Sequence, residues 1–370
     1  MSPVALLHSR YDPSQFDANH SSKTSSGAVT VSKENQEAAQ YPEFLPTWNP
    51  NVKLPTPKPF NHFDKGVLGS DGYKDLLVGD FKVKKITPKF GTEVDGIQLS
   101  SLNEAGKNDL GKLIAERGVV IFRNQDWAKF GPQFLVDFTQ YYGPLHQHPT
   151  SGTPENFPQI HVSFVGQTKK QVSNIFATRT NNIQWHSDVS YELQPPHYTF
   201  FSVLQGPESG GDTLFADCVE AYNRLSPTMQ NMIANLHVLH TSEDQAKNNQ
   251  SQGGVLRRDP ISNIHPLVRQ HPVTKQKYLY LNREFGRKIV ELKQEESDNL
   301  LNFLYNHVES SLDLQLRANW EPNTVVMWDN RRTVHTPVMD WDPQTPLIRH
   351  AVRLSPQGER PVENLLELNQ

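Results

Sequence analysis

The stretch LIRHAVRLS, Leu347–Ser355, sets Arg349, Ala351 and Arg353 on one side of an extended chain and Ile348, His350, Val352 and Leu354 on the other. A half-buried strand would ordinarily turn such arginines to water. Turned inward, two guanidinium groups require anionic partners, because an unpaired buried cation is costly. Arginine's rigid fork suits carboxylate and sulfonate oxygens. The inward orientation therefore predicts a closed β-structure whose interior receives two anions.

Working outward, the runs YTFFSVL (198–204), KYLYLN (277–282) and TVVMW (324–328) are also short and β-rich. Helices are fewer. SSLNEAGKNDLGKLIAERG (100–118) carries a capping-box pattern, Ser101 with Glu104, an apolar stripe at Leu110, Leu113 and Ile114, and a stop at Gly118. FLVDFTQYYG (134–143), LSPTMQNMIANL (225–236) and ESDNLLNFLYNHVES (296–310) are further helix candidates. No repeat and no regular strand–helix alternation is visible. The pattern is mainly β with flanking helices, a sandwich or jelly roll with helices outside. DQAKNNQSQGGVLRRDP (244–260) reads as a polar surface loop, with a lid as the alternative. Residues 1–75 read as a polar, proline-rich extension whose aromatics, Phe44, Trp48, Phe60 and Phe63, could strap it across one domain spanning 76–370.

Composition excludes several classes of partner. The net charge of −4 without a basic stripe argues against nucleic acid and anionic membrane surfaces. No run of 18 apolar residues exists, and the N-terminus lacks the pattern of a signal peptide, so a cytoplasmic location is expected. The single cysteine, Cys218, excludes an internal disulfide framework and a cysteine-rich zinc cluster. Any transition-metal site would use imidazole and carboxylate.

The chain has 15 histidines, so the metal question is one of selection. His186-Ser187-Asp188 precedes a β-rich run, where residues two apart share a face and can converge on one ion. His62-Phe63-Asp64 lies in the extension, where no rigid scaffold is expected, and His307-Val308-Glu309 lies on a candidate helix, where residues two apart diverge. His335, after the strand at 324–328, would complete two histidines and a carboxylate, the ligand set of non-heme iron oxygenases. His240, His265, His271 and His350 are rivals on composition alone.

Taken with GTEVDGIQLSSL, ERGVVIFRNQ, YGPLHQHP, WHSDVSYE, GGDTLF, WDNRRTVH and RHAVRLSPQGERP, these residues resemble the taurine/2-oxoglutarate dioxygenase family, nearest its fungal-type sulfonate dioxygenases. The resemblance covers about residues 80–365. It implies a double-stranded β-helix (jelly roll) and an enzyme using Fe(II), 2-oxoglutarate and O2 to hydroxylate the carbon beside a sulfonate, releasing sulfite and an aldehyde. The family's iron ligands fall on His186, Asp188 and His335, its 2-oxoglutarate contacts on Thr213 and Arg349, and its substrate contacts on His148, Asn182, Val189 and Arg353. A small anionic substrate and a homo-oligomer, dimer or larger, are implied as well. The His335–Arg349 gap is a few residues longer than in bacterial taurine enzymes, and Ser151 stands where those carry a pocket tyrosine. A sulfate ester, an aryloxy acid or a purine such as xanthine remains an alternative substrate. A zinc hydrolase or a non-catalytic metal-binding jelly roll is a remoter alternative, leaving Arg349 without a role.

Overall fold

The structure is a computed structural model describing residues 22–166, 180, 183–251, 254–321, 323–340 and 348–369. Its centre is a seven-stranded sheet in the order Lys82–Lys85, Thr92–Asp95, Val119–Phe122, Val325–Asp329, Tyr198–Gln205, Arg349–Leu354, His161–Val165. A three-stranded sheet, Gln315–Ala318, Thr213–Asp217 and Thr333–Pro337, faces it and closes the jelly roll. A third sheet of Ser262–Pro266, His237–Thr241 and Gly286–Ile289 extends one flank.

Burial explains why the strand sequences look almost continuously apolar. In Val325–Asp329, Val326 and Trp328 join Val119, Ile121, Phe215 and Leu316 in the layer between the two sheets. Val325 and Met327 point the other way, into a larger cluster with Leu110, Leu113 and Ile114 of the helix Glu104–Arg117 and Leu135 and Phe138 of the helix Gly131–Gln140. Both faces of the sheet are covered, so neither face reads as polar. The small sheet's outer face, at Ala216 and Val334, is covered through Leu301, Leu304 and Tyr305 of the helix Gln294–Ser310.

Local signals were mostly obeyed, with two differences. The helix Glu104–Arg117 is capped by Asn103, whose side chain accepts the Gly106 N–H, and not by Ser101. Asn103 sits two residues nearer the stripe, and its short amide reaches the free N–H groups. Gly118 ends the helix at φ 72°, and a Cβ there would meet the Phe90 ring at 2.5 Å, so the stop needs glycine. The stretch read as a polar loop after His240 begins with a helix, Glu243–Ser251, anchored by buried Ala246 and Asn249. Its polar pattern hid a helix that is also tied down by Arg287 on Asp244 and Tyr191 on Gln245.

The extension is more firmly packed than its composition suggested. Phe44, Leu45 and Trp48 are buried in the large cluster beside Trp127 and Ile348. Phe60 is half-buried and Phe63 is 57% exposed, so only two of the four aromatics act as straps.

Candidate active site

The backbone brings the two histidines together. His186 and His335 form an antiparallel bridge in which each N–H donates to the other's carbonyl, at 2.9 and 2.8 Å. Such a pair projects both side chains to one side, and the ring centroids lie 4.2 Å apart. His335 belongs to the strand Thr333–Pro337, opposite Phe215. Asp188 follows within reach: its Oδ1 lies 3.6 Å from His186 Nε2 and 3.7 Å from His335 Nε2. Bonds of about 2 Å to one ion place neighbouring donors roughly 3 Å apart or slightly more, so the donor set fits a small divalent metal.

The surroundings prepare these groups for that role. His186 Nδ1 donates to the Gln184 carbonyl at 2.6 Å, which leaves Nε2 as the lone-pair donor. His335 is oriented by packing, between Phe215 and Trp328. Asp188 Oδ2 accepts from Thr199 at 3.1 Å, turning Oδ1 towards the histidines. Burial alone would raise the Asp188 carboxyl, but Arg353 and the two histidines hold it well below the usual carboxylate range. It is ionised at any working pH.

Asn330 was not singled out by sequence reasoning. It accepts the Asp188 N–H at 2.7 Å and donates to the Asp188 carbonyl at 2.9 Å, bracketing that residue's backbone. The next residue, Val189, has φ 42°, a left-handed conformation that a β-branched side chain rarely adopts. Val189 is buried with Tyr191 and Phe285, and Phe285 stands edge-on to His186.

Both arginines of the opening stretch face inward. Arg353 donates to Asp188 Oδ1 and, at 2.8 Å, to His161 Nδ1, and its buried Nε has no partner among the described residues. Arg349 is 8% exposed, and its one hydrogen bond among the described residues runs from Nη2 to the Gly211 carbonyl at 3.2 Å, two residues before Thr213. Burial pulls its pKa down to about 10, with Asp212 offsetting part of the loss, so it stays charged at neutral pH. A buried cation with one carbonyl partner among the described residues has N–H donors to spare for an anion. Thr213 begins the central strand of the small sheet and is itself buried.

His148 lies on the Arg353 side, with its ring 4.8 Å from that of His161. Its Nδ1 lies in range of the Ser151 N–H at 3.2 Å, the Thr150 N–H at 3.3 Å and Ser151 Oγ at 2.9 Å. Backbone N–H groups only donate, so Nδ1 is the acceptor and Nε2 carries the proton. Burial, reinforced by His161 and Arg353, holds the ring neutral, well below its ordinary pKa. His161, also overlooked, is fixed in the same tautomer by Arg353. Asn182 lies outside the described residues.

The rival histidines have other work. His350 bonds the Phe44 carbonyl, His265 the Glu192 carbonyl and His271 the Asp329 carboxylate, while His240 meets Ser190. His307 bonds the Ala221 carbonyl. His62 and Asp64 depart from expectation, because they gather with His197 and Glu359 into a second compact cluster. Asp64 and Glu359 are already bound there by Arg331, and Glu359 also by Arg269, so the cluster is an ion-pair network.

A family model described as "Taurine catabolism dioxygenase TauD, TfdA family" matches residues 82–355. The alpha-ketoglutarate-dependent sulfonate dioxygenase of Saccharomyces cerevisiae is 52% identical over 93% of this chain and 84% of its own length. The alpha-ketoglutarate-dependent dioxygenase cnsP of Penicillium expansum is 36% identical over 92% of both chains. A solved taurine dioxygenase from Burkholderia xenovorans superposes with a TM-score of 0.61 at 26% identity, over 76% of this chain and 90% of that one. With this sequence, this roll and this interior, the chain belongs to the TauD, TfdA family, as a dioxygenase dependent on Fe(II), 2-oxoglutarate and O2.

Proposed function

We propose that the protein is a sulfonate dioxygenase in which His186, Asp188 and His335 hold Fe(II), Arg349 and Thr213 receive the distal carboxylate of 2-oxoglutarate, and Arg353 and His148 receive the sulfonate. The observation that carries this reading is the pair of inward arginines on one strand, which supplies two separate anion receptors beside one metal-type donor set. The alpha-ketoglutarate-dependent sulfonate dioxygenase of Saccharomyces cerevisiae, 52% identical, supports the choice of sulfonate.

When bound, Fe(II) with 2-oxoglutarate and O2 supplies the hydroxylation of the C–H bond beside the sulfonate. Hydroxylation consumes O2 and 2-oxoglutarate and yields succinate and CO2; the hydroxylated carbon then loses sulfite and leaves an aldehyde. The residues of the chain bind and orient. Arg353 offers its guanidinium, and His148 offers the Nε2–H that its Nδ1 contacts leave available. The neutral state of His148 makes it a hydrogen-bond donor that does not alter the charge of the pocket. Val189 and Phe285 exclude water beside His186.

The test is succinate and sulfite measured together, with Fe(II), 2-oxoglutarate, air and a panel of alkyl sulfonates, sulfate esters and xanthine. Sulfite in step with succinate is expected for sulfonates and not for the others. Succinate driven by sulfates or xanthine without sulfite would remove the sulfonate assignment while leaving the dioxygenase intact. Asp188→Ala should abolish turnover, and a variant that works like the parent would break the ligand assignment.

A further inference from the structure

The wall that carries His148 is held from outside by parts of the chain beyond those family motifs. Thr47 and Thr153 form a two-way backbone bridge, at 2.7 and 3.1 Å. Gly152 packs so closely on Pro46 and Trp48 that a Cβ would meet them at 2.6 and 2.8 Å. Arg257 lies against the same wall. Arg257 N–H donates to the Pro149 carbonyl at 2.8 Å, and its own carbonyl accepts the Leu54 N–H at 2.7 Å. The Arg257 side chain is 5% exposed, and its Nη2 donates to the carbonyls of His148 at 2.6 Å and Ser151 at 2.5 Å.

Those partners are neutral. Arg257 has no ion pair among the described residues, whereas its neighbour Arg258 pairs with Glu192, which His146 also bonds. Burial lowers the Arg257 pKa to about 10, so the guanidinium remains charged at neutral pH. It is the last of the influences that hold His148 and His161 neutral, after burial, Arg353 and the neighbouring histidines. A buried charge acts over a longer range than a solvated one.

We propose that Arg257 is a specificity-determining residue, which braces the His148–Ser151 wall and lends it a net positive charge, so that monoanionic sulfonates are taken in preference to zwitterionic aminosulfonates. This rests on the sulfonate reading above. The logic is electrostatic. A monoanion is attracted by the extra charge as a whole, whereas in a zwitterion the attraction of the sulfonate is opposed by repulsion of the ammonium two carbons away.

The test uses an isosteric pair, 2-hydroxyethanesulfonate and 2-aminoethanesulfonate, with sulfite release giving kcat/KM for each and calorimetry giving binding. Arg257→Met should lower the ratio of hydroxy to amino kcat/KM by about tenfold, with the KM for 2-oxoglutarate unchanged. Arg257→Lys should keep the ratio. Arg257→Gln retains N–H donors for the two carbonyls without the charge, so it separates bracing from charge and serves if the methionine variant does not fold. It too should lose the ratio. An unchanged ratio in the glutamine variant, or an equal rise in the KM for 2-oxoglutarate, would overturn the proposal while sulfite release left the sulfonate reading standing. If the parent protein forms succinate with another substrate and no sulfite from either sulfonate, both fall.

Discussion

At the residue scale, Asp188 shows how much support one carboxylate receives. Thr199 fixes one oxygen, Arg353 and the two histidines surround the other, and Asn330 holds the backbone on both sides of the residue. The left-handed Val189 conformation, φ 42°, follows directly on that bracket. Asn330→Ala should therefore weaken metal binding by roughly 10–100-fold without contacting the metal, as outer-shell losses do. Calorimetric titration with Fe(II) or Mn(II) would show it, and parent-like affinity would mean the bracket is dispensable. The two arginines should separate kinetically. Arg353→Gln should raise the KM for sulfonate by about 10–100-fold and leave that for 2-oxoglutarate alone, and Arg349→Gln should do the reverse, each losing a charged contact worth about 1.5–3 kcal/mol. The opposite pattern would mean that the receptors are exchanged.

At the scale of elements, the turn between the strands Val325–Asp329 and Thr333–Pro337 does the most. Trp328 packs on His335 and Asn330 brackets Asp188, while Arg332 joins Asp217 to the end of the helix Glu104–Arg117. Arg331 binds Asp329, Asp64 and Glu359 in the buried network that ties the extension to the core. Arg331→Leu would strip Asp64 of its ion pair and leave Asp329 and Glu359 with only His271 and Arg269, and a loss of about 3–5 kcal/mol is expected by denaturant titration. A change within 1 kcal/mol would show that apolar burial of Phe44, Leu45 and Trp48 and the backbone bridges at Thr47 and Leu54 hold the extension without the ion-pair network. Most of this was invisible in WDNRRTVH as letters, since Glu359, Asp217, Asp188 and Asp64 lie 28, 115, 142 and 267 residues away from their partners. The opening strand was legible in its alternation but not in its direction: only the covering of its other face by Ile348, Val352 and Leu354 against the extension and helices turned the arginines inward.

For the whole molecule, burial of neutral histidines predicts a characteristic acid response. His265 and His350 are pulled down to about 3 and about 4, each by burial first, and His271 is also lowered by burial and Arg331. Their folded values lie below the unfolded one, so the unfolded chain takes up protons that the fold refuses. Their contribution is complete above about pH 6.5 and is lost as pH falls towards the folded values, by up to about 1.4 kcal/mol per group and pH unit. Melting temperature should be flat from pH 8 to 7 and fall steadily from 6.5 to 4.5. A flat curve down to pH 5 would mean that these histidines charge inside the fold.

What the sequence by itself determined is the set of local chemistries: short strands, the helix from 104 to 117, the His186–Asp188 pair, and two arginines spaced to share a face. Period and spacing are local properties, so one chain can display them. Only the tertiary structure showed how a backbone bridge sets His335 beside that pair, which face of the arginine strand is interior, that His62 and Asp64 belong to an ion-pair network, and that Pro46–Trp48 and Arg257 back the His148–Ser151 wall. Those outcomes depend on contacts between distant segments and on burial from both sides, which only the folded chain creates.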